Sequence, residues 1–188
     1  MIEPKAEGIV DATGFESHYV SRYYRWKKAI RRKALCKRWP KLSVFCHRRS
    51  HLWAAARVGI GPSNDSPEFA PLVREADALA DWGCVMADAA YDSEAHHILC
   101  RETLNIERTI IPVQTRNSRK WPRSRYRREM KARFARGAFG QRWQVESAFS
   151  QHKRRLGSFL RARSEDARER ECYLRVLTHN LMILAEVA

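Results

Sequence analysis

The chain has 188 residues, 44% of them hydrophobic, which is enough for one domain with a buried core. Thirty-six Lys and Arg stand against 21 Asp and Glu, for a formal charge of +15. That imbalance points to a polyanionic partner, nucleic acid first, because neutralised phosphates release their counterions; a membrane-surface or ribosomal role gives a similar total. Five scattered cysteines without a C-x-x-C pair argue against a disulfide framework or a zinc site, and no apolar run approaches the roughly 20 residues of a membrane span, so the expectation is a cytoplasmic protein.

Residues 8–14 read as a short strand, Ile9 and Val10, that ends in Asp11 and is closed by Ala12, Thr13 and Gly14. Two further apolar runs, 41–46 and 52–58, suit a hairpin turning through Arg48, Arg49 and Ser50. Cys46, His47 and His51 have the proximity of half a metal site, but no second Cys/His pair follows at finger spacing, and they read as strand residues. After the turn-rich stretch 61–67, Phe69, Leu72, Val73, Ala76, Leu79 and Ala80 recur at helical spacing up to Trp82 and Gly83. The continuous apolar run 84–87 predicts a buried strand ending at Asp88, with a helix starting at Ser93. Residues 109–113 read as another strand, 114–128 as a loop, and 140–156 and 165–187 as two amphipathic helices. The order β-β-β-α-β-α-β-α-α predicts an α/β fold, a mixed sheet flanked by helices in which three antiparallel strands precede strand-helix alternation. Ribonuclease H-like folds have this layout.

Asp11 and Asp88 share a context, since each follows an apolar strand and precedes small residues. Carboxylates at neighbouring strand ends converge, and they repel unless a proton or a metal separates them. An aspartate after a strand also starts turns and caps helices, so neither residue decides the matter alone. In the stretch FGQRWQVESAFSQHK, Phe139, Arg142, Glu146, Phe149 and Lys153 are spaced by 3, 4, 3 and 4, which keeps them on one helical stripe. Val145, Phe149 and Leu156 turn toward the adjoining sector, so the charged line borders the buried face, as in the wall of an active site. The alternative is an exposed Arg–Glu pair worth a few tenths of a kcal/mol. Two basic segments, 22–41 and 116–136, hold ten Lys and Arg each and are interrupted by aromatics. Charge to hold a backbone and rings to meet exposed bases suit DNA tracking, with Lys27, Lys28, Arg31 and Arg32 as candidate contacts in the first and Arg119, Lys120, Trp121 and Arg123 in the second. A solvated charged loop is the alternative.

The 139–153 stretch resembles the Y-x2-R-x3-E-x6-K signature of bacterial insertion-sequence DDE transposases, with Phe139, Arg142, Glu146 and Lys153 at the matching spacings. VDATG near the start, ADAAYDSEAHH and LTHNLMIL extend the likeness over nearly the whole chain. The resemblance implies a catalytic domain in which Asp11, Asp88 and Glu146 are the three acidic ligands of two Mg2+ or Mn2+ ions, Asp11 bridging them. It implies cleavage of double-stranded DNA, at transposon ends and target, and strand transfer by the freed 3′-hydroxyl, with Arg142 and Lys153 clamping phosphates. Trp143 is then a core or base-stacking residue and Tyr91 packs beside the site. Phe139 replaces the signature's tyrosine, and Ala90 stands where a glycine is frequent. Only ten residues precede Asp11, so the expectation is a single catalytic domain over 1–188 with the N-terminal end-recognition domain absent. The resemblance also implies a nucleoid-associated homodimer, for which no heptad or obvious apolar interface gives independent support. A truncated transposase that binds DNA without cutting it, or a related metal-dependent nuclease, are the other readings.

Overall fold

The computed structural model describes residues 5–17, 39–114 and 120–187. Lys27, Lys28, Arg31, Arg32 and Arg119 lie outside them. Seven strands are present, β1 (Ala6–Gly14), β2 (Glu16–Ser17), β3 (Trp39–His47), β4 (Trp53–Gly61), β5 (Trp82–Ala87), β6 (Arg108–Ile110) and β7 (Phe159–Leu160) among the described residues. Five of them form one mixed sheet in the order β4-β3-β1-β5-β6. β4, β3 and β1 are antiparallel neighbours, whereas β1, β5 and β6 run parallel. β2 and β7 make a separate parallel pair.

Side chains alternate across each strand, so each face of the sheet carries its own core. Helix α1 (Ser66–Asp77) and the short helix α2 (Glu94–Ile98), which continues as a wider turn over Leu99–Thr103, cover one face. There Phe69, Leu72, Val73 and Tyr91 pack with Val10, Phe45 and Val85. After helices α3 (Arg125–Ala132) and α4 (Arg136–Phe139), helices α5 (Trp143–Leu156) and α6 (Glu165–Val187) complete the chain. On the opposite face Val145, Phe149 and Cys172 pack with Ile9, Leu42, Val44 and Met86. Coverage on both faces explains why β5 reads as an unbroken apolar run rather than an alternating one. At Gly8 an added Cβ would come within 2.1 Å of the Phe45 ring, so this position of β1 has room for nothing larger.

Three expectations from the sequence need correction. Asp11 does not end β1: Ala12, Thr13 and Gly14 continue to pair with β3, from Asp11 opposite Val44 to Gly14 opposite Lys41, while the parallel partner β5 stops at Ala87. Helix α1 ends at Asp77, and Leu79 is exposed; Trp82 belongs to β5, where its ring packs edge-on against Phe45 and its indole N–H donates to the Ala76 carbonyl of α1 at 2.9 Å. Residues 125–128, read as the end of a loop, open helix α3, because the Glu94 carboxylate accepts the N–H groups of Tyr126 and Arg127 at 3.0 and 3.1 Å and caps the helix from another part of the chain.

Candidate active site

The β1–β5 pairing runs as far as Val10 opposite Ala87, and the next residue on each strand is an aspartate. Period-two alternation puts Asp11 on the side of Ile9, and Asp88 on the side of Met86, the face covered by α5. Asp88 begins a 3-10 turn over Ala89–Tyr91, its Oδ1 accepting the Ala90 N–H at 2.8 Å. Asp11 Oδ1 accepts the adjacent Ala12 N–H at 2.8 Å.

Arg142, at the N-terminal end of α5, ties the site together. Its guanidinium donates to Asp11 Oδ2 at 2.7 Å and to Glu146 Oε1 at 2.6 Å, joining the helix to a strand 131 positions earlier. The side chains of Asp11 and Arg142 are 16% and 23% exposed, while Glu146 is 58% exposed and opens toward solvent. Burial pushes the Asp11 carboxyl up to about 6; the charges of Asp88 and Glu146 push it further in the same direction, against the Ala12 N–H and Arg142. Asp88 and Glu146 therefore both act electrostatically on Asp11, and Arg142 pairs with two of the three acids. Among the described residues, no group of three or more His, Cys, Asp or Glu stands close enough together to hold a metal as the side chains lie, since the guanidinium occupies the space between Asp11 and Glu146.

The other residues singled out in the sequence fall in varied places. Lys153 is three turns further along α5 from Arg142, where its Nζ donates to Thr13 Oγ1 at 2.7 Å and to the Gly14 carbonyl at 2.9 Å, and burial lowers its pKa. It grips the end of β1 beyond Asp11 instead of flanking Glu146. Phe139 packs on Phe134, with ring centroids 5.0 Å apart, and against the α5-side core. Trp143 is more than half exposed, which removes the core reading because this helix buries Val145, Ala148 and Phe149 instead. Tyr91 is fully buried against Phe69. Cys46 and His47 lie in β3, and His51 in the turn that follows.

In the second basic segment Lys120, Trp121 and Arg123 are exposed, and the Lys131 ammonium lies 5.2 Å from the Trp121 ring centroid. Several of its other cations have structural partners. Arg127 makes a two-pronged contact with the buried side chain of Asp92 at 2.8 and 2.7 Å, Arg125 lies 4.0 Å from Glu102, and the segment's own acid, Glu129, is held by Arg101 from α2's wide turn. Asp92 and Glu94 were not marked by reading the sequence, although DSE immediately follows the Asp88 strand end. Together they fasten α3 to the loop that carries Asp88.

The family model described as the transposase DDE domain matches residues 3–181. The chain belongs to the transposase DDE domain family. Its mixed five-stranded sheet with helices on both faces is the ribonuclease H-like fold of DDE transposases. Searches of curated proteins and of solved structures returned no match. Membership of this family implies a role in transposition and DNA as the substrate. Among the described residues, no helix of this DDE domain is long and apolar enough to cross a membrane.

Proposed function

We propose that this DDE domain cleaves double-stranded DNA at transposon ends and joins the freed 3′-hydroxyl to target DNA, at a site made by Asp11, Asp88 and Glu146. The observation that carries the reading is the Arg142 guanidinium spanning Asp11 and Glu146, with Asp11 held partly protonated by burial and by its acidic neighbours. A buried carboxylate among others is stabilised by cationic charge, and three carboxylates are the hard oxygen donors that Mg2+ or Mn2+ accepts. The donor set fits such ions: Asp11, Asp88 and Glu146 would hold them once Arg142 releases its two acceptors. A bound pair supplies Lewis-acid stabilisation to the attacking and leaving oxygens of an in-line displacement.

The chain's own groups account for the rest. Water attacks phosphorus and gives up a proton, the bond to the 3′ oxygen breaks, and that oxygen takes a proton to become a 3′-hydroxyl beside a 5′-phosphate; the 3′-hydroxyl then attacks a target phosphodiester, whose own 3′ oxygen leaves as a hydroxyl. Arg142 carries a planar pair of donors and can exchange its carboxylate partners for phosphate oxygens with the same geometry. Lys153 fixes the end of β1 through Thr13 and Gly14 and adds a positive charge near the scissile phosphate. Lys120, Trp121 and Arg123, together with Arg119, Lys27, Lys28, Arg31 and Arg32, are the proposed DNA-path residues, and residues 1–188 act as one catalytic unit.

A supercoiled-plasmid nicking assay with Mg2+ or Mn2+ tests the reading. The expected result is cutting by the wild-type chain that is lost in Glu146→Gln with DNA binding retained. Cutting that survives Glu146→Gln refutes this site, and binding by the wild type without any cutting refutes the enzyme.

A further inference from the structure

The sheet lets go of the chain just before Asp88. Pairing of β5 with β1 ends at Ala87, and its pairing with β6 ends at Met86, so no ladder bond holds the backbone of the next residue. Asp88 stands instead on one 3-10 turn, in which the Tyr91 N–H donates to the Asp88 carbonyl and the Asp92 N–H to the Ala89 carbonyl, both at 3.2 Å. Such a turn is short and its hydrogen-bond geometry poor. A side chain has to fix the direction in which Asp88 projects.

Asp92 closes that turn, and its carboxylate reaches out in two directions. Oδ2 accepts the Gln114 N–H at 2.8 Å, in the segment that follows β6, and both oxygens accept the Arg127 guanidinium from α3. One acid, 2% exposed, thus ties the turn to a neighbouring strand end and to a helix more than thirty positions away. The Tyr91 carbonyl adds a lesser tie, 2.8 Å from the Nδ1 of buried His96. Glu94 offers a contrast. It carries the same charge two residues further on, but among the described residues its hydrogen bonds go to α3 and its N-cap Ser124, and none to the turn or to the β6 end.

We propose that Asp92 is a positioning residue for Asp88. It acts through the 3-10 turn: its own oxygens are already taken and its side chain lies out of solvent, so it is a brace behind the three acids and not a fourth ligand. The assignment rests on the proposed reading of Asp88 as a metal ligand. Groups behind a ligand hold its orientation, and their loss costs roughly 10–100-fold in metal affinity; Asp92 acts one turn removed, which puts it at the low end of that range.

Mn2+ binding to the whole DNA-free chain, followed by electron paramagnetic resonance, tests this. Asp88→Asn is expected to weaken binding, and Asp92→Asn to weaken it about tenfold. Glu94→Gln removes the same charge and loosens the same helix, so a loss of charge or of α3 packing alone would move it as far; it is expected to stay within about twofold of wild type. Arg127→Lys keeps both charges and loses the fork, and is expected to weaken Mn2+ binding as Asp92→Asn does. It also decides should Asp92→Asn fail to fold by circular dichroism. An Asp92→Asn chain that binds Mn2+ no more weakly than Glu94→Gln overturns the assignment. So does an Arg127→Lys chain that binds as tightly as wild type or more tightly, the result expected of an Asp92 that is itself a ligand held back by the guanidinium. In both cases weaker binding by Asp88→Asn leaves the acidic site standing, whereas an Asp88→Asn chain that binds like wild type overturns the site and the brace together.

Discussion

Asp11→Asn measures what the site costs the fold. Burial raises the Asp11 carboxyl from 3.8 to about 6, which corresponds to about 3 kcal/mol when the group is ionised in the folded state. The sign follows from proton uptake. Below 3.8 the group is protonated in both folded and unfolded chains and costs nothing; between 3.8 and about 6 only the folded chain keeps its proton, so stability falls as pH rises; above about 6 the full penalty is present. Asparagine does not ionise, keeps an acceptor for the Ala12 N–H, and loses only the Arg142 ion pair, whose contribution is already inside the net shift. The variant is therefore expected to be about 2–3 kcal/mol more stable than wild type at pH 8 in EDTA, or about 4–10 °C in Tm, and to lose most of that advantage by pH 4. Urea unfolding of both chains at each pH reads the effect, and titrating groups that do not interact with Asp11 cancel in the comparison. Added Mg2+ should raise wild-type stability and leave the variant unmoved, while the variant no longer nicks DNA. An advantage that is the same at both pH values, or a variant less stable than wild type at pH 8, refutes the reasoning.

Arg142→Ala removes the cation that competes for Asp11 and Glu146, so Mn2+ affinity followed by electron paramagnetic resonance should rise severalfold while nicking falls by roughly tenfold or more; unchanged Mn2+ affinity counts against the competition. Asp92→Asn removes the charge from the fork with Arg127, where the acid is 2% and the guanidinium 29% exposed, and should cost about 1–3 kcal/mol in urea unfolding. A loss below about 1 kcal/mol would show that α3 is held by other contacts. His152 is fully buried and pushed down to about 3 by burial, with His179, Arg175 and Lys153 acting in the same direction. Its neutral form is accommodated above 6.5, and stability drains away as pH falls from 6.5 toward 3 because only the unfolded chain accepts the proton. His152→Leu should shift the acid-unfolding midpoint lower by on the order of half a pH unit; an unmoved midpoint in a circular dichroism titration goes against it.

Much of the fold could be read locally. The buried positions Phe69, Leu72, Val73 and Ala76 of α1 and the unbroken run of β5 carried their period and apolarity in a few residues. Errors arose where distant contacts took over. Ala12, Thr13 and Gly14 look like a turn, but β3 supplies a pairing partner for them; α3 has no cap of its own and takes one from Glu94, more than thirty positions earlier. The leucines of α6 were visible as letters, yet this helix alternates two apolar sides, and periodicity does not say which side meets the sheet. Trp143 shows the same ambiguity, since a tryptophan beside Val145 fits a core stripe until the helix is docked.

By itself the sequence determined the basic charge, the strand-helix order, the spacing of Arg142, Glu146 and Lys153, and the small-residue settings of Asp11 and Asp88, because each is set by neighbours along the chain. Only the tertiary structure decided that the two aspartates occupy the next step of adjacent parallel strands, that one guanidinium reaches Asp11 and Glu146 together, and that Lys153 grips β1 instead of flanking the glutamate. Strand pairing and helix docking set these relations over separations above a hundred residues, where side-chain periodicity carries no information about register.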